Sequence, residues 1–538
     1  MVDAAYFWAA TIVFVGITMY LSYLGYKKTK DGDYYLLAGR NVNPIVLGLS
    51  YGATFISTAA IVGFGGVAAT FGMGIIWLVV LNVGIGVLLA FIIFGHRVRK
   101  IGQQLSAVTF PDLMGKIYKS PFLRYSMAIV ILVGMPLYSA AVLIGGARFV
   151  ETTLDVNFDY ALIALCLIVA LYVAFGGMLA VMYADAFQAL VMIIGMTAIL
   201  FITYGLLGGV GDANSSLTNL ATDPGVPSSL AAQGMTGWTS FPELLSQNWY
   251  FMVTTIIMGV GIGVLAQPQL VVRFMCAKDS KRLNRAIPIG GIFILLTTGV
   301  AYTVGALSNV YFWEEEGQLS RQIAGNTDAI MPLYINSSMP DLVIVFFMLT
   351  LLAAAMSTLS SLMHALASAA GTDLYCGLSK SKLMPTKYRS CDDKQTCSLR
   401  VNQIAVAAMI VVTLVVAFYM PNDIIAVATS MFMGLCASAL LPLFAAGIFM
   451  KRPSALGAKL SLVVGTAAWF LWGMFVYTKY SVVFNVCEPL FGKITLGQEP
   501  WIWIDPLFIA MPLAIIALVI GILIDPARKK APETTATT

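Results

Sequence analysis

Four hydroxyls stand within five residues at Ser357, Thr358, Ser360 and Ser361, inside a stretch, LAAAMSTLSS at 352–361, whose other side chains are Ala, Leu and Met. On a helix, Ser357, Thr358 and Ser361 share one face at i, i+1, i+4 spacing, and Ser360 widens that face sideways. Two chemistries fit such a face. Hydroxyls at hydrocarbon depth can bond back to carbonyls one turn earlier, or neutral oxygens can hold a hard, weakly hydrated cation such as sodium. Nucleophilic chemistry does not fit, because the stretch holds neither His nor carboxylate to activate a serine.

A second polar feature is Asp185, in GGMLAVMYADAFQ at 176–188. A carboxylate inside an apolar span is costly unless it is paired, protonated or bound to a cation. Bonding to Tyr183 or Gln188 is the plainer alternative. His364, one turn beyond the hydroxyls, is expected to serve packing or a pore edge rather than to carry protons.

Two further stretches have the composition of interrupted helices. Gly48 to Thr58, containing GATFIS, and then Gly63, Gly65 and Gly66 concentrate glycine and hydroxyl residues mid-span, as does Gly259-Val-Gly261-Ile-Gly263 before Gln267-Pro268. Glycine tolerates unusual dihedrals and Ser/Thr can satisfy freed backbone groups; close packing through small residues is the other reading. The second stretch lies five spans after the first and so crosses in the opposite direction. Interrupted helices at corresponding places of two five-span halves point to an inverted-repeat transporter with a midplane site.

The elements that must position these residues are all expected to be membrane helices. The 538 residues are 59% hydrophobic and only 11% charged, with mean hydropathy +0.86, against about 25% charge in soluble domains. About thirteen apolar runs reach the roughly 20 residues that a crossing needs: 5–26, 44–70, 74–95, 124–150, 158–175, 179–208, 247–272, 285–310, 340–371, 400–419, 422–449, 455–478 and 504–524. Basic residues cluster after the first, third, seventh and ninth runs, in a series that includes Arg273, while the other side keeps only Arg148, Arg321, Lys479 and Lys493. By the positive-inside rule the N-terminus is outside and the C-terminus cytoplasmic. The net charge of +5 therefore reports topology, and a nucleic-acid partner is not implied. No Lys or Arg is expected mid-span, no disulfide framework is expected, and 373–400 and 525–538 read as solvated connectors. A membrane enzyme is disfavoured, since no span carries a nucleophile with a base. A sensor is disfavoured by the short tail after the last run.

Taken together, YYLLAGR, GATFIS, GGMLAVMYADAFQ, AQPQLVVRFM, AAAMSTLSS and the run from Gly434 through Pro442 to Lys451-Arg452-Pro453 resemble the sodium/solute symporter family, over roughly 30–460. The resemblance implies an all-α polytopic protein with a LeuT-type 5+5 inverted repeat whose first and sixth core helices are broken. The expected layout is an extra helix and loop at 1–43, one repeat at 44–208, an external loop at 209–246, the second repeat at 247–449, and two extra helices with a tail at 450–538. It implies a principal sodium site at Ala53, Ile56, Ala354, Ser357 and Thr358. A second sodium site falls on Asp185, Ser357, Ser360 and Ser361. By position, Thr54, Phe55, Tyr138, Val264 and Gln267 would line the solute site.

The nearest motif matches are to the proline and pantothenate branches, but Phe55 replaces an aspartate of the proline transporters, and Val260 and Val264 replace aromatics. These departures favour a small carboxylate, of monocarboxylate or pantothenate type, over proline or another amino acid. The expectation is sodium symport, with two ions, by a monomer or weak oligomer in the cell membrane. Proton coupling is the rival.

Overall fold

The computed structural model describes residues 4–29, 31–379, 399–421 and 423–525. Thirteen helices organise them: α1 Ala4–Lys28, α2 Pro44–Phe55, α3 Ala59–Phe71, α4 Met73–Gln104, α5 Pro121–Leu154, α6 Phe158–Leu206, α7 Gln247–Met275, α8 Ser280–Glu316, α9 Asp341–Leu378, α10 Val401–Tyr419, α11 Ile425–Phe449, α12 Ala455–Phe475 and α13 Leu507–Ile524. Among the described residues, eleven helices are long and apolar enough to cross a bilayer by themselves. Counted as one broken span, the bent pair α2 and α3 brings the number to twelve. The remaining expected run, 158–175, is the first arm of α6, which is interrupted at Gly177 (φ 64°, ψ −178°). A side chain there would also meet Tyr35.

Both interrupted helices occur where the glycine-rich stretches lie. Asn43 caps α2 by accepting from the Ile45 N–H at 2.9 Å, and Pro44 occupies the first turn, where its missing N–H costs nothing. The α2 helix ends as Ile56 turns to extended geometry (φ −91°, ψ 110°), and α3 departs at 53°. In α7 the break is at Gln267 (φ −70°, ψ 122°), after which Pro268 starts an inner arm, Pro268–Met275. Both breaks are fully enclosed by protein, the condition under which irregular backbone is tolerated at membrane depth.

The basic loops meet at one end of the bundle. Arg40, after α1, donates to the Ala107 carbonyl at 2.8 Å; Arg99, at the end of α4, reaches Ser280 at 3.0 Å; and Arg282 reaches Asn41 at 2.8 Å. The loop 209–246 contains a short helix, Val210–Asn219. Most of the stretch 373–400 and nearly all of the tail expected as connectors lie outside the described residues. The expectation about disulfides needs correction: Cys376 is disulfide-bonded, while Cys166, Cys276, Cys436 and Cys487 are free thiols.

Helix α8 crosses α3 so closely that a Cβ on Gly305 would overlap the Gly65 carbonyl. A backbone oxygen cannot swing aside as a flexible side chain would. Gly305→Ala is expected to cost about 1–3 kcal/mol through overpacking, read as a lower unfolding midpoint of the purified protein. Gly299→Ala on the same helix, with nothing within 4 Å of the added carbon, should leave the midpoint unchanged.

Candidate ion-binding site

Helix α9 lays its hydroxyl face against the point where α2 ends. The Ser357 hydroxyl lies 2.9 Å from the Ala53 carbonyl and 3.2 Å from that of Ala354. The Thr358 hydroxyl lies 3.4, 3.3 and 3.4 Å from the carbonyls of Ala53, Thr54 and Ile56. One hydroxyl hydrogen cannot serve three carbonyls. For an ion with oxygen contacts of roughly 2.4 Å, the range of a calcium-sized cation, ligands at right angles are about 3.4 Å apart. The spacing therefore suits a small cation better than a set of hydrogen bonds. The chain departs from helical geometry just after Phe55, which turns these carbonyls from the helix ladder toward α9. Ala53, Ile56, Ala354, Ser357 and Thr358 are thus brought together, with Thr54 adding its carbonyl.

One turn along α9, the second cluster is organised by a group that the sequence reading placed elsewhere. Arg273, on the inner arm of α7, is fully buried and forms a 2.8 Å ion pair with Asp185 of α6, itself fully buried. This corrects the expectation that no basic residue lies within the spans. The guanidinium also contacts Ser50 at 3.2 Å, Thr54, and Ser361 at 2.6 Å, and it donates to the Gln269 carbonyl at 2.8 Å. Asp185 Oδ2 accepts from Ser50 at 2.8 Å and Thr54 at 3.2 Å, whereas Oδ1 has Ser360 at 3.4 Å.

Ser357 reaches this cluster through its carbonyl, which accepts from Ser360 and Ser361 at 3.0 Å each, not through its hydroxyl. Neither plainer partner touches Asp185. The Gln188 side chain has no hydrogen-bond partner among the described residues, and Tyr183 accepts from Lys28. His364 is hydrogen-bonded to the Tyr35 carbonyl at 3.0 Å and packs on that ring.

The solute candidates divide. Phe55 and Val264 both flank Gly86 of α4, so they share one apolar wall. Tyr138 lies parallel to Phe432 with ring centres 6.0 Å apart. Gln267 sits at the break of α7; its side-chain oxygen accepts from Gln269, and its Nε2 is buried with no partner among the described residues. Thr54 belongs to the ion-pair cluster instead. Ser50 and Arg273 join the cluster without being among the expected site residues. Ser50 stands one helical turn before Thr54 on the same face, and Arg273 is flanked by Val-Val and Phe-Met, unlike a loop cation.

The sequence model of the Sodium:solute symporter family matches residues 34–465. The chain belongs to that family. Its members are symporters, not enzymes, with sodium as the coupling ion. Among curated relatives, a sodium/pantothenate symporter of Haemophilus influenzae is 26% identical over 86% of this chain and 89% of its own length. A high-affinity proline transporter of Bacillus subtilis is 26% identical over 84% and 89% respectively. A sodium-coupled sialic acid symporter solved in a substrate-bound, outward-open state superposes with TM-score 0.73, covering 98% of each chain at 18% identity. This symporter therefore has the LeuT-type fold that its motifs imply.

Removing either partner of a buried ion pair leaves an unpaired charge, at about 3–5 kcal/mol. Arg273→Gln and Asp185→Asn are each expected to lower the unfolding midpoint sharply, and the double variant to lose much less than the sum. Additive losses in a thermal-unfolding cycle would show that the pair is not coupled.

Proposed function

We propose that this symporter couples sodium entry to uptake of a small carboxylate across the cell membrane, with its N-terminus outside and C-terminus in the cytoplasm. Residues 44–208 and 247–449 form the two inverted repeats; 1–43 and 450–538 are additions to that core. The observation that carries the sodium assignment is the convergence of Ala53, Thr54 and Ile56 carbonyls on the Thr358 hydroxyl at 3.3–3.4 Å. Sodium there ties the break between α2 and α3 to α9, which favours the conformation that accepts solute, and its departure loosens that tie.

The solute is held between the Phe55–Val264 wall and the break of α7. Gln267 Nε2 is a buried donor without a partner among the described residues, and the inner arm that follows presents its N-terminal end, which favours negative charge. Two relatives bear names that specify pantothenate and proline, and both compounds carry a carboxylate. An amino acid also fits the family; the apolar Phe55 and Val264 favour an acid without an ammonium group.

Energetics favour two sodium ions. One sodium moving with a monoanion carries no net charge, so a tenfold gradient supports only about tenfold accumulation. A second sodium adds its own gradient and about 2.3 kcal/mol per 100 mV, raising the limit above roughly a thousandfold. The second ion binds at Asp185 with Ser360, Ser361 and the Ser357 carbonyl. One carboxylate neutralises one cation, so Arg273 and this sodium take turns on Asp185.

Uptake into proteoliposomes tests these assignments. Labelled pantothenate, lactate and proline are compared under an inward sodium gradient and under a proton gradient in potassium. Sodium-driven uptake of a carboxylate is expected; uptake driven only by protons would contradict the coupling, and uptake of proline alone the solute class. Ser357→Ala or Thr358→Val should raise the half-saturating sodium concentration about tenfold, the loss of one ion contact worth ~1.4 kcal/mol. In the Asp185→Asn, Arg273→Gln double variant, the reversal potential should report one sodium fewer. An unchanged value would reject the second site.

A further inference from the structure

Helices α11 and α13 do not meet flush along the side of the bundle. A crevice of about 430 Å³ runs between them and opens laterally, toward the bilayer. Its α11 wall includes Pro442, Ala445, Ala446 and Phe449, its α13 wall Ile515 and Leu518, and every lining side chain is apolar.

Backbone packing keeps the gap from closing. Helix α12 packs against both neighbours: a Cβ on Gly465 would meet the Ser438 carbonyl and Ala514, and one on Gly457 would meet the Leu518 carbonyl. The two walls are thus held by α12, and the short side chains of Ala445 and Ala446 cannot reach across what remains. From Leu441 to Phe449 the α11 wall rises about 12 Å along the helix axis, close to the ~15 Å that one leaflet contributes to the hydrocarbon core. The crevice therefore belongs to one leaflet, on the side where the basic loops meet.

The inner end of this crevice carries charge that the surrounding protein leaves unneutralised. Phe449, the last residue of α11, packs edge-on against Phe94 of α4, with ring centres 5.1 Å apart. Three residues after Phe94, the Arg97 guanidinium lies 4.7 Å from the centre of the Phe449 ring and donates to the Ile448 carbonyl at 3.4 Å. Stacking thus holds Arg97 at the mouth with most of its five N–H donors to spare. Lys451, two residues past Phe449, is exposed, as is Lys100 one turn beyond Arg97. Among the described residues, no carboxylate comes within ion-pair distance of Arg97, Lys100 or Lys451. An apolar slot one leaflet deep that ends in a guanidinium and an ammonium is the complement of an acyl chain joined to a phosphate.

We propose that this crevice binds an anionic phospholipid from the leaflet on the basic side, with one acyl chain between α11 and α13 and the phosphate paired with Arg97 and Lys451. A zwitterionic lipid offers the same chain but brings its own cation, so the site selects for net negative charge. The bound lipid joins α4 and α11, of the expected ten-helix core, to α13 outside it.

Native mass spectrometry of the purified, delipidated full chain tests the site. Dioleoylphosphatidylglycerol and dioleoylphosphatidylcholine, which carry identical chains, are titrated separately. The anionic lipid is expected to fill a first site at a several-fold lower concentration than the zwitterionic one, with the difference shrinking as salt is raised. Arg97→Gln combined with Lys451→Gln should abolish the difference. Lys27→Gln combined with Lys28→Gln, at the end of α1 on the same side, should retain it. Lys451→Gln alone leaves the stack of Arg97 on Phe449 in place and should reduce the difference, so the test does not depend on the folding of the double variant. Ala445→Phe, which puts a ring into the slot, should weaken binding of both lipids.

Equal affinity for the two lipids, or a preference for the anionic one that survives loss of Arg97 and Lys451, overturns the proposal. A dimer that forms without lipid and is lost in Ala445→Phe would give the crevice to a second copy of the chain and overturn it as well.

Discussion

The constraint on which the rest of the structure depends is that a charge inside the apolar interior must meet an opposite charge. Asp185 and Arg273 satisfy it for one another at 2.8 Å with no exposure of either side chain. The pair draws in α2 through Ser50 and Thr54, α6 through Asp185, the inner arm of α7 through Arg273, and α9 through Ser360 and Ser361. Four elements from both expected repeats are therefore fixed relative to one another by a single neutralised charge. Hydrophobic contact alone cannot set such a register, because lipid tails are as apolar as the side chains they would displace.

That register delivers the geometry one turn away. With α2 and α9 locked at Thr54 and Ser361, which lie 2.8 Å apart, the carbonyls released where α2 ends stand opposite Ser357 and Thr358. The two clusters share backbone as well as neighbours: Thr54 gives its hydroxyl to the ion pair and its carbonyl to the ring of oxygens, and Ser357 divides its own atoms in the opposite sense. Events at one cluster are thereby felt at the other, a physical basis for linking ion occupancy to the position of the inner arm of α7.

Much of this was legible in the chain. The LAAAMSTLSS face, the GATFIS interruption and Gln267-Pro268 carry local signals, in composition and spacing, that survive without knowledge of packing. Arg273 did not read correctly because it follows an apolar run near its end, where a cation ordinarily marks the membrane surface; only the fold shows that the arm after Pro268 carries it inward. Thr54 falls on the solute wall only by its position in the motif, whereas neighbouring positions on a helix point about 100° apart, and its side chain faces Asp185. The orphaned Nε2 of Gln267 and the crevice beside Phe449 depend on contacts between distant segments, which no local pattern encodes.

The central claim is that the oxygens of Ala53, Thr54, Ile56, Ala354, Ser357 and Thr358 hold sodium. Cryo-electron microscopy maps of the protein in sodium chloride and in choline chloride, at a resolution that shows ordered ions, test it most directly. The account predicts a density peak equidistant from these oxygens in sodium that is missing in choline. The same peak in both salts, or an empty centre in both, would contradict it.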